Sequence, residues 1–143
     1  MSDACAFCAI IAGRVPASIV FADARVVAFV DLRQAQPGHV LVVPRTHVPR
    51  VHLLGPDDAA ALMQAAVRIA GALDAAALAP DGMSLWQSNG EGAFQEVDHV
   101  HLHVHPRRVG DGLLDVYPGG VPAPAARAIL DDLAARVRAA LPG

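Results

Sequence analysis

The sequence predicts an α+β fold in which helices pack on an antiparallel sheet. Two β-prone segments near the start are separated by a short turn, as in a hairpin. A long middle segment has the apolar spacing of a helix, and the two β-prone segments after it follow each other without a helical crossover. The chain of 143 residues has the length of one compact domain, so we expect a single domain over residues 1–143.

In the N-terminal half, local signals predict one short helix and three strands. The helix covers residues 7–12 and ends at Gly13. A hairpin joins strands at 19–21 and 26–30, and a nearly all-apolar strand over 39–43 ends at Pro44.

The C-terminal half is predicted to contain two more strands and both main helices. The strands cover 83–88 and 99–105, and the helices run from 55–58 to about 77 and from after Pro124 to about 141. The last helix is amphipathic, with an apolar stripe formed by Leu130, Leu133, Val137 and Leu141.

Composition excludes several classes of function. The chain is 54% hydrophobic with a formal net charge of -3, and no apolar run is long enough to span a bilayer. It has no block of Lys and Arg, so we expect no binding to a nucleic acid polymer. The first residues lack the features of a secretion signal, which makes the cytoplasm the expected location.

The most informative segment is 99–105, where histidines occupy every second position. In a strand, successive side chains point to opposite faces. The four imidazoles would therefore share one face, while Val100, Leu102 and Val104 pack on a core. Imidazole can act near neutral pH as a nucleophile, proton donor, metal ligand or phosphate ligand, so the pattern predicts a functional site.

Cys5 and Cys8 are the only cysteines in the sequence. In a cytoplasmic protein, Cys-x-x-Cys spacing indicates metal or redox chemistry more than a structural disulfide. A redox pair should lie at a helix N-terminus after a strand, and no strand is predicted before this pair. We therefore favour half of a zinc site that histidines complete, the alternative being two thiols without a function.

Several segments together resemble the histidine triad (HIT) family of nucleotide hydrolases and transferases. The family signature is His-φ-His-φ-His-φ-φ, where φ is apolar, and residues 99–104 match it. The segments Cys-Ala-Phe-Cys at 5–8, Pro-Gly-His at 37–39 and Pro-Arg-Thr-His at 44–47 are also similar to bacterial members. The similarity extends from about residue 5 to 108. It implies an antiparallel sheet of about five strands with two main helices, and usually a homodimer.

The resemblance implies an attack on the α-phosphorus of a purine nucleotide. His101 would be the nucleophile and would form a covalent nucleotidyl intermediate that water resolves. We expect its Nδ1–H to donate to a backbone carbonyl, which leaves Nε2 free for phosphorus. His103, two residues along the same face, would donate to a phosphate or leaving-group oxygen.

The resemblance also implies a set of residues that bind substrate. They are Asp31 for the ribose hydroxyls, Leu32 for the base, Asn89 and Gln95 in a loop on the phosphate side, and His103. From the residues alone, Asp31 is better explained as a turn residue at a strand end. Phosphoramidates of adenosine monophosphate are the first candidate substrates, followed by dinucleoside polyphosphates.

Family members that contain zinc complete the cysteine pair with two histidines. The corresponding set here is Cys5, Cys8, His47 and His99, a closed structural site in which zinc has no open position. Members without zinc use these histidines in hydrogen bonds. We expect structural zinc and no organic cofactor, a hydrogen-bonding role for His39, and a surface position for His52.

Three residues depart from the family pattern. His105 occupies a position that is usually apolar, Glu96 stands where many members have Ser or Thr, and Phe94 stands where glycine is common. A carboxylate at 96 would repel an anion unless it turns away, and a ring at 94 would reshape the phosphate loop. Two rival hypotheses stay open: a nucleotide-binding regulatory or scaffold protein with incidental hydrolysis, and a metalloenzyme that uses the histidine row as ligands.

Overall fold

The computed structural model describes residues 4–142, and the chain divides after Asp111 into two compact units. Helices α1 and α2 of the first unit span Ala6–Ile11 and Pro56–Ala75. Its strands are β1 Ile19–Ala22, β2 Val26–Val30, β3 Val40–Pro44, β4 Met83–Gln87 and β5 Leu102–Pro106. The second unit contains helix α3, Arg127–Ala140. That the whole chain acts as one domain stays a prediction.

The five strands form one sheet in the order β1-β2-β3-β5-β4, and every neighbouring pair is antiparallel. The predicted α+β class and the N-terminal hairpin are therefore confirmed. In the hairpin turn, Asp23 Oδ1 accepts hydrogen bonds of 2.8 Å from the backbone N–H groups of Arg25 and Val26. An aspartate that binds the backbone ahead of it fixes such a turn.

The two faces of the sheet belong to two different apolar clusters. One cluster joins alternate residues of β2, β3 and β5 to the inner side of α2, and it contains Val26, Val42, Val104, Leu62, Ala66 and Ile69. The second joins the opposite side of β2 and β3 to the region of α1, and it contains Cys5, Phe7, Cys8, Phe29, Leu41 and Val43. Because β2 and β3 are covered on both faces, their sequences are apolar throughout instead of alternating.

The histidine segment is extended over a shorter range than predicted. A strand was expected over 99–105, but β5 begins at Leu102. The backbone before it is used differently, since His99 N–H donates to Val97 O and Val100 N–H donates to Val48 O, at 2.8 Å each. The first bond is local and the second attaches the segment to the loop after β3, so the sheet ladder starts only after His101.

Helix α3 contains no buried residue in the part of the chain that the structure describes. Its predicted apolar stripe exists, but Leu130, Leu133, Val137 and Leu141 are all exposed to solvent. Within residues 4–142, none of the helices has the length and apolarity that crossing a bilayer requires.

Candidate active site

The alternation of residues 99–105 separates core from site as predicted. Val100, Leu102 and Val104 lie in the cluster that packs on α2, which confirms their expected role. The four imidazoles avoid that cluster, but they do not form one uniform row. His99 joins the cysteines near α1, whereas His103 contacts His39, the residue before β3, and His105 contacts Trp86 of β4. His101 lies between these two groups.

The first group is a compact set of four sulfur and nitrogen donors. Cys5, Cys8, His47 and His99 each offer one donor atom, and all four atoms lie within 4.8 Å of one another. Cys8 Sγ is 3.3 Å from His47 Nδ1 and 3.6 Å from His99 Nδ1. Cys5 Sγ is 3.5 Å from His99 Nδ1, and the two Nδ1 atoms are 3.3 Å apart.

These separations match the edges of a small tetrahedron. Zn–N bonds near 2.0–2.1 Å and Zn–S bonds near 2.3 Å give ligand-to-ligand distances of roughly 3.3–3.8 Å in tetrahedral geometry. His99 Nε2–H donates to Pro44 O at 2.8 Å, which leaves Nδ1 without a proton and aimed at the cysteines. Burial lowers the pKa of His99, and the neutral ring that results is the form that binds a metal.

His101 has the orientation that a nucleophilic imidazole needs. Its Nδ1 lies 2.8 Å from His99 O. A carbonyl oxygen can only accept, so Nδ1 carries a proton, and in the neutral ring the lone pair is on Nε2. This confirms the predicted hydrogen bond to a backbone carbonyl. The ring packs edge-on against Phe7 at 5.1 Å and His103 at 4.9 Å between centroids, and it is not part of the Cys2His2 cluster.

His103 is linked to a second imidazole and through it to a carboxylate. His103 Nδ1 lies 2.9 Å from His39 Nε2, and this contact holds one hydrogen between the rings. On the far side of His39, Nδ1 is 3.6 Å from Asp31 Oδ2 and 3.4 Å from Arg33 O. The hydrogen-bonding role expected for His39 is confirmed. The series Asp31, His39 and His103 can therefore pass a proton to the side of His103 that lies next to His101.

Aromatic packing holds the His103 end of the site in place. Trp86 stacks on His103 with centroids 4.3 Å apart and an interplanar angle of 11°. Burial, together with the neighbouring imidazoles His101, His39 and His105, lowers the pKa of His103 to about 3. Burial also lowers the pKa of His39, while the Asp31 carboxylate opposes that change. His103 is therefore neutral near pH 7 and can donate only as an uncharged N–H.

The residues expected to bind the nucleoside lie just beyond β2. Asp31 Oδ1 accepts from Arg33 N–H at 2.8 Å, so Asp31 does close a turn, as its position at a strand end suggests. Its second oxygen remains directed at His39. Leu32 is 98% exposed, which leaves its side chain available to a ligand. Contacts of these residues with ribose and base stay predictions.

Hydrogen bonds from amide side chains hold the predicted phosphate-side loop in its conformation. Asn89 Oδ1 accepts from Val51 N–H at 2.8 Å, and Asn89 also donates to Gln87. The Gln95 amide accepts from Gly90 N–H and donates to the carbonyls of Pro49 and Val97, at 2.8–2.9 Å. Both side chains thus set the shape of the loop, and a direct contact of either with phosphate stays a prediction.

The structure explains two residues of this loop that depart from the family pattern, Phe94 and Glu96. Phe94 has φ 58° and ψ 34°, the left-handed region in which glycine carries no penalty, and its side chain is 90% exposed. The common glycine at this position therefore reflects the backbone, and phenylalanine occupies it under strain. The Glu96 carboxylate pairs with Arg33 at 3.1 Å, so an arginine beside it offsets its charge.

Two site residues were not identified from the sequence. Phe7 contacts both His99 and His101, and Trp86 contacts His103 and His39. Trp86 lies directly opposite His103 in the β4–β5 pairing. The connection between these strands runs from residue 88 to 101, too long for a turn rule to give their register. The one sequence signal for Trp86 is that it is the single tryptophan of the chain and lies in a predicted strand.

Comparison with known proteins agrees with this arrangement. A model of the HIT domain matches residues 12–110. The protein named hit from Bacillus subtilis is 39% identical over 112 residues, which cover 78% of this chain and 77% of that protein. An adenosine 5'-monophosphoramidase of Schizosaccharomyces pombe is 32% identical over 103 residues, covering 72% of this chain and 74% of the relative.

Solved structures show the same fold. A HIT family protein from Bacillus subtilis superposes with a TM-score of 0.85 at 31% identity and covers 99% of both chains. A Zn-bound histidine triad family protein from Mycobacterium smegmatis gives a TM-score of 0.71 at 33% identity, covering 96% of this chain and 98% of that one. With the triad, the sheet and the matched domain in agreement, this chain belongs to the HIT family.

Proposed function

We propose that this protein is a nucleotide hydrolase or transferase that cleaves a bond to the α-phosphorus of a purine nucleotide through a covalent nucleotidyl-His101 intermediate. The observation that carries the proposal is the bond from His101 Nδ1 to His99 O. It fixes the tautomer in which Nε2 is an uncharged nucleophile, suited to attack an anionic phosphate. Phosphoramidates of adenosine monophosphate are the first substrates to test, because relatives include an adenosine 5'-monophosphoramidase.

In the first step, His101 Nε2 forms a bond to phosphorus as the bond to the leaving nitrogen or oxygen breaks. The leaving atom keeps the bonding electrons and takes a proton from His103 Nε2. His103 Nδ1 recovers a proton from His39 Nε2 across the 2.9 Å contact, and the Asp31 carboxylate beside His39 opposes the larger effect of burial, which lowers the pKa of His39. The chain therefore supplies the leaving group with a proton although His103 itself is neutral.

In the second step, water attacks phosphorus and the bond from phosphorus to His101 breaks. The water proton returns to His103 Nε2, and its Nδ1 proton moves back to His39. The products are the nucleoside monophosphate and the free amine or alcohol, and the enzyme is regenerated. The remaining contribution is positioning, because the fixed His101 and His103 rings hold nucleophile and proton donor 4.9 Å apart between centroids.

The decisive experiment detects the covalent intermediate. Intact-mass spectrometry after rapid quenching of the protein with adenosine 5'-monophosphoramidate should show one adenylyl group, which peptide mapping places on His101. His101→Ala should lose the adduct and lower kcat by about 10⁴-fold or more, while nucleotide binding is largely retained. His52→Ala removes an exposed histidine instead and should behave as the parent. Full activity of His101→Ala would refute the proposal and favour incidental hydrolysis.

We also propose that Cys5, Cys8, His47 and His99 bind one structural zinc ion. The support is the tetrahedral spacing of their donor atoms and the Zn-bound relative of similar structure. Four protein ligands leave the metal no open position, so zinc would tie the N-terminus to the segment before β5 without entering the reaction. Because a reducing compartment keeps the two free thiols available, we propose a cytoplasmic location.

The rival hypothesis of a metalloenzyme has a weaker basis. Asp31, His39 and His103 also offer three donor atoms within 4.8 Å. However, His39 and His103 are joined nitrogen to nitrogen at 2.9 Å, a distance typical of a shared hydrogen and shorter than the edge of roughly 3.3 Å between two nitrogens of a tetrahedral zinc site. This contact favours proton transfer at the His103 end of the segment.

A homodimer completes the proposal. Strand β4 lies at an edge of the sheet, with β5 on one side. An edge strand presents unpaired backbone groups that can bond to another strand. Leu85, in the middle of β4, is 40% exposed, so an apolar side chain accompanies this edge. We propose that two copies pair along β4, and light scattering should give a molar mass twice that of the chain.

A further inference from the structure

His105 is a buried imidazole that the proposed reaction does not use. It lies in β5 two residues beyond His103, and its side chain is 3% exposed. Its Nδ1–H donates to Pro106 O at 2.6 Å, which fixes the ring orientation and tautomer. A polar side chain at such a buried position costs free energy compared with the apolar residue usual there, so its contacts indicate what it does.

The ring of His105 packs on the proton-donating pair. Its centroid is 4.4 Å from that of His39 and 5.3 Å from that of Trp86. The β3–β5 register explains this contact. Val40 lies opposite Val104, so His39, the residue just before β3, lies beside His105. His39 is in turn bonded to His103. His105 thus touches the residue that stores the proton for the leaving group.

His39 is in ring contact with two other imidazoles, those of His103 and His105, and a group of rings this close cannot all carry a positive charge. The carboxylate beside this group is that of Asp31, whose Oδ2 lies 3.6 Å from His39 Nδ1. His101, on the other side of His103, is a fourth imidazole in the same environment. Since like charges at this separation repel, a proton added to one of these rings disfavours a second proton on a ring in contact with it.

We propose that His105 is a positioning residue that limits protonation of the His39–His103 pair and so sets the upper pH at which the pair can supply a proton. The inference rests on the proposed function for its effect on catalysis. It is supported by the directions of two pKa shifts: burial is the largest cause that lowers the pKa values of His39 and His103, and His105 is one of the neighbouring imidazoles that lower them further. Asp31 acts in the opposite direction on His39, and the two neighbours together adjust the pair.

The test replaces His105 by residues that do not titrate. His105→Asn keeps an amide N–H that can donate to Pro106 O, and His105→Leu fills the space with apolar atoms. In both variants the falling limb of kcat/KM against pH should move to higher pH by about half a pH unit or more, because a ring that can carry a like charge beside His39 has been removed. His52→Asn, which removes an exposed histidine, should keep the limb of the parent.

Two outcomes would overturn this inference. If both folded variants keep the falling limb of the parent, His105 only fills space. If His105→Leu shifts the limb and His105→Asn does not, the hydrogen bond to Pro106 acts and the charge does not. Thermal melting establishes that each variant is folded, and agreement of two different replacements excludes a packing artefact.

A second measurement separates this inference from the proposed function. Histidine ring resonances followed by NMR in the full chain without substrate report the titration of His39 and His103 directly. Their midpoints should move to higher pH in His105→Asn, whether or not the parent turns over a phosphoramidate. Unchanged midpoints refute the role of His105, whereas shifted midpoints in a protein without turnover support the coupling and refute the proposed reaction.

Discussion

The two ends of one histidine segment have opposite chemical surroundings. At its start, His99 is fully buried with Cys5 and Cys8 and directs Nδ1 into a closed set of four donors. At its end, His103 shares a proton with His39 and stacks on Trp86. Both histidines are neutral through burial, yet one is arranged to bind a metal ion and the other to move a proton.

The difference comes from the neighbouring elements and not from the histidines themselves. The end of β3 and the N-terminus of α1 surround His99: Pro44 supplies a carbonyl acceptor, and Cys5 supplies sulfur. β3 and β4 flank His103, where His39, just before β3, supplies an imidazole and Trp86 of β4 supplies an indole. Hence the alternating pattern places the imidazoles on one side, and the partner of each ring determines its chemistry.

The largest expected effect follows from removing a ligand of the proposed zinc site. The purified parent should contain about one zinc per chain, and Cys8→Ser should contain little. Loss of a ligand bound at about 1,000 times its Kd lowers the free energy of unfolding by about 4 kcal/mol. For a chain of this size, that corresponds to a Tm lower by roughly 8–16 °C. Plasma mass spectrometry and calorimetry measure the two quantities.

Variants at the other end of the segment provide the matched control. His103→Asn and His105→Asn should retain zinc, because neither residue belongs to the Cys2His2 cluster. Zinc loss in His103→Asn would instead support the metalloenzyme hypothesis. A parent protein purified without chelator and free of zinc would contradict the metal assignment, and His47 and His99 would then act through hydrogen bonds alone.

The sequence was sufficient to predict the architecture around this segment. The alternation of Val100, Leu102 and Val104 with histidines correctly predicted which side enters the core. The five strands and the central helix were also predicted, with bounds differing by one or two residues for most elements. These features depend on local periodicity and turn residues, which a sequence displays directly.

Long-range pairing was not predictable in the same way. The contact of Trp86 with His103 depends on the register of β4 against β5, and that of His39 with His105 on the register of β3 against β5. Long connections join these strands, so no turn fixes their register in the sequence. For the same reason, the sequence predicts that β5 begins at His99, whereas in the structure the N–H of Val100 bonds to the carbonyl of Val48 in a loop.

A smaller effect tests the proton-transfer end through the pH dependence of stability. His103 titrates near pH 6.5 when unfolded, whereas burial lowers its pKa to about 3 in the folded protein. Between these values the unfolded chain binds the additional proton, so stability is fully present above pH 6.5 and decreases as the pH falls. From pH 6.5 to about pH 5, one such histidine lowers the free energy of unfolding by about 1–2 kcal/mol.

His103→Asn isolates this contribution, because asparagine does not titrate and the other buried histidines remain in both proteins. Urea unfolding at the two pH values should show a decrease in the parent that exceeds the decrease in the variant by about 1–2 kcal/mol. Equal decreases would mean that His103 is already protonated or solvated in the folded state. In that case the ring could not be the neutral donor beside His101, and the His103 end would lose the property that distinguishes it from the metal end.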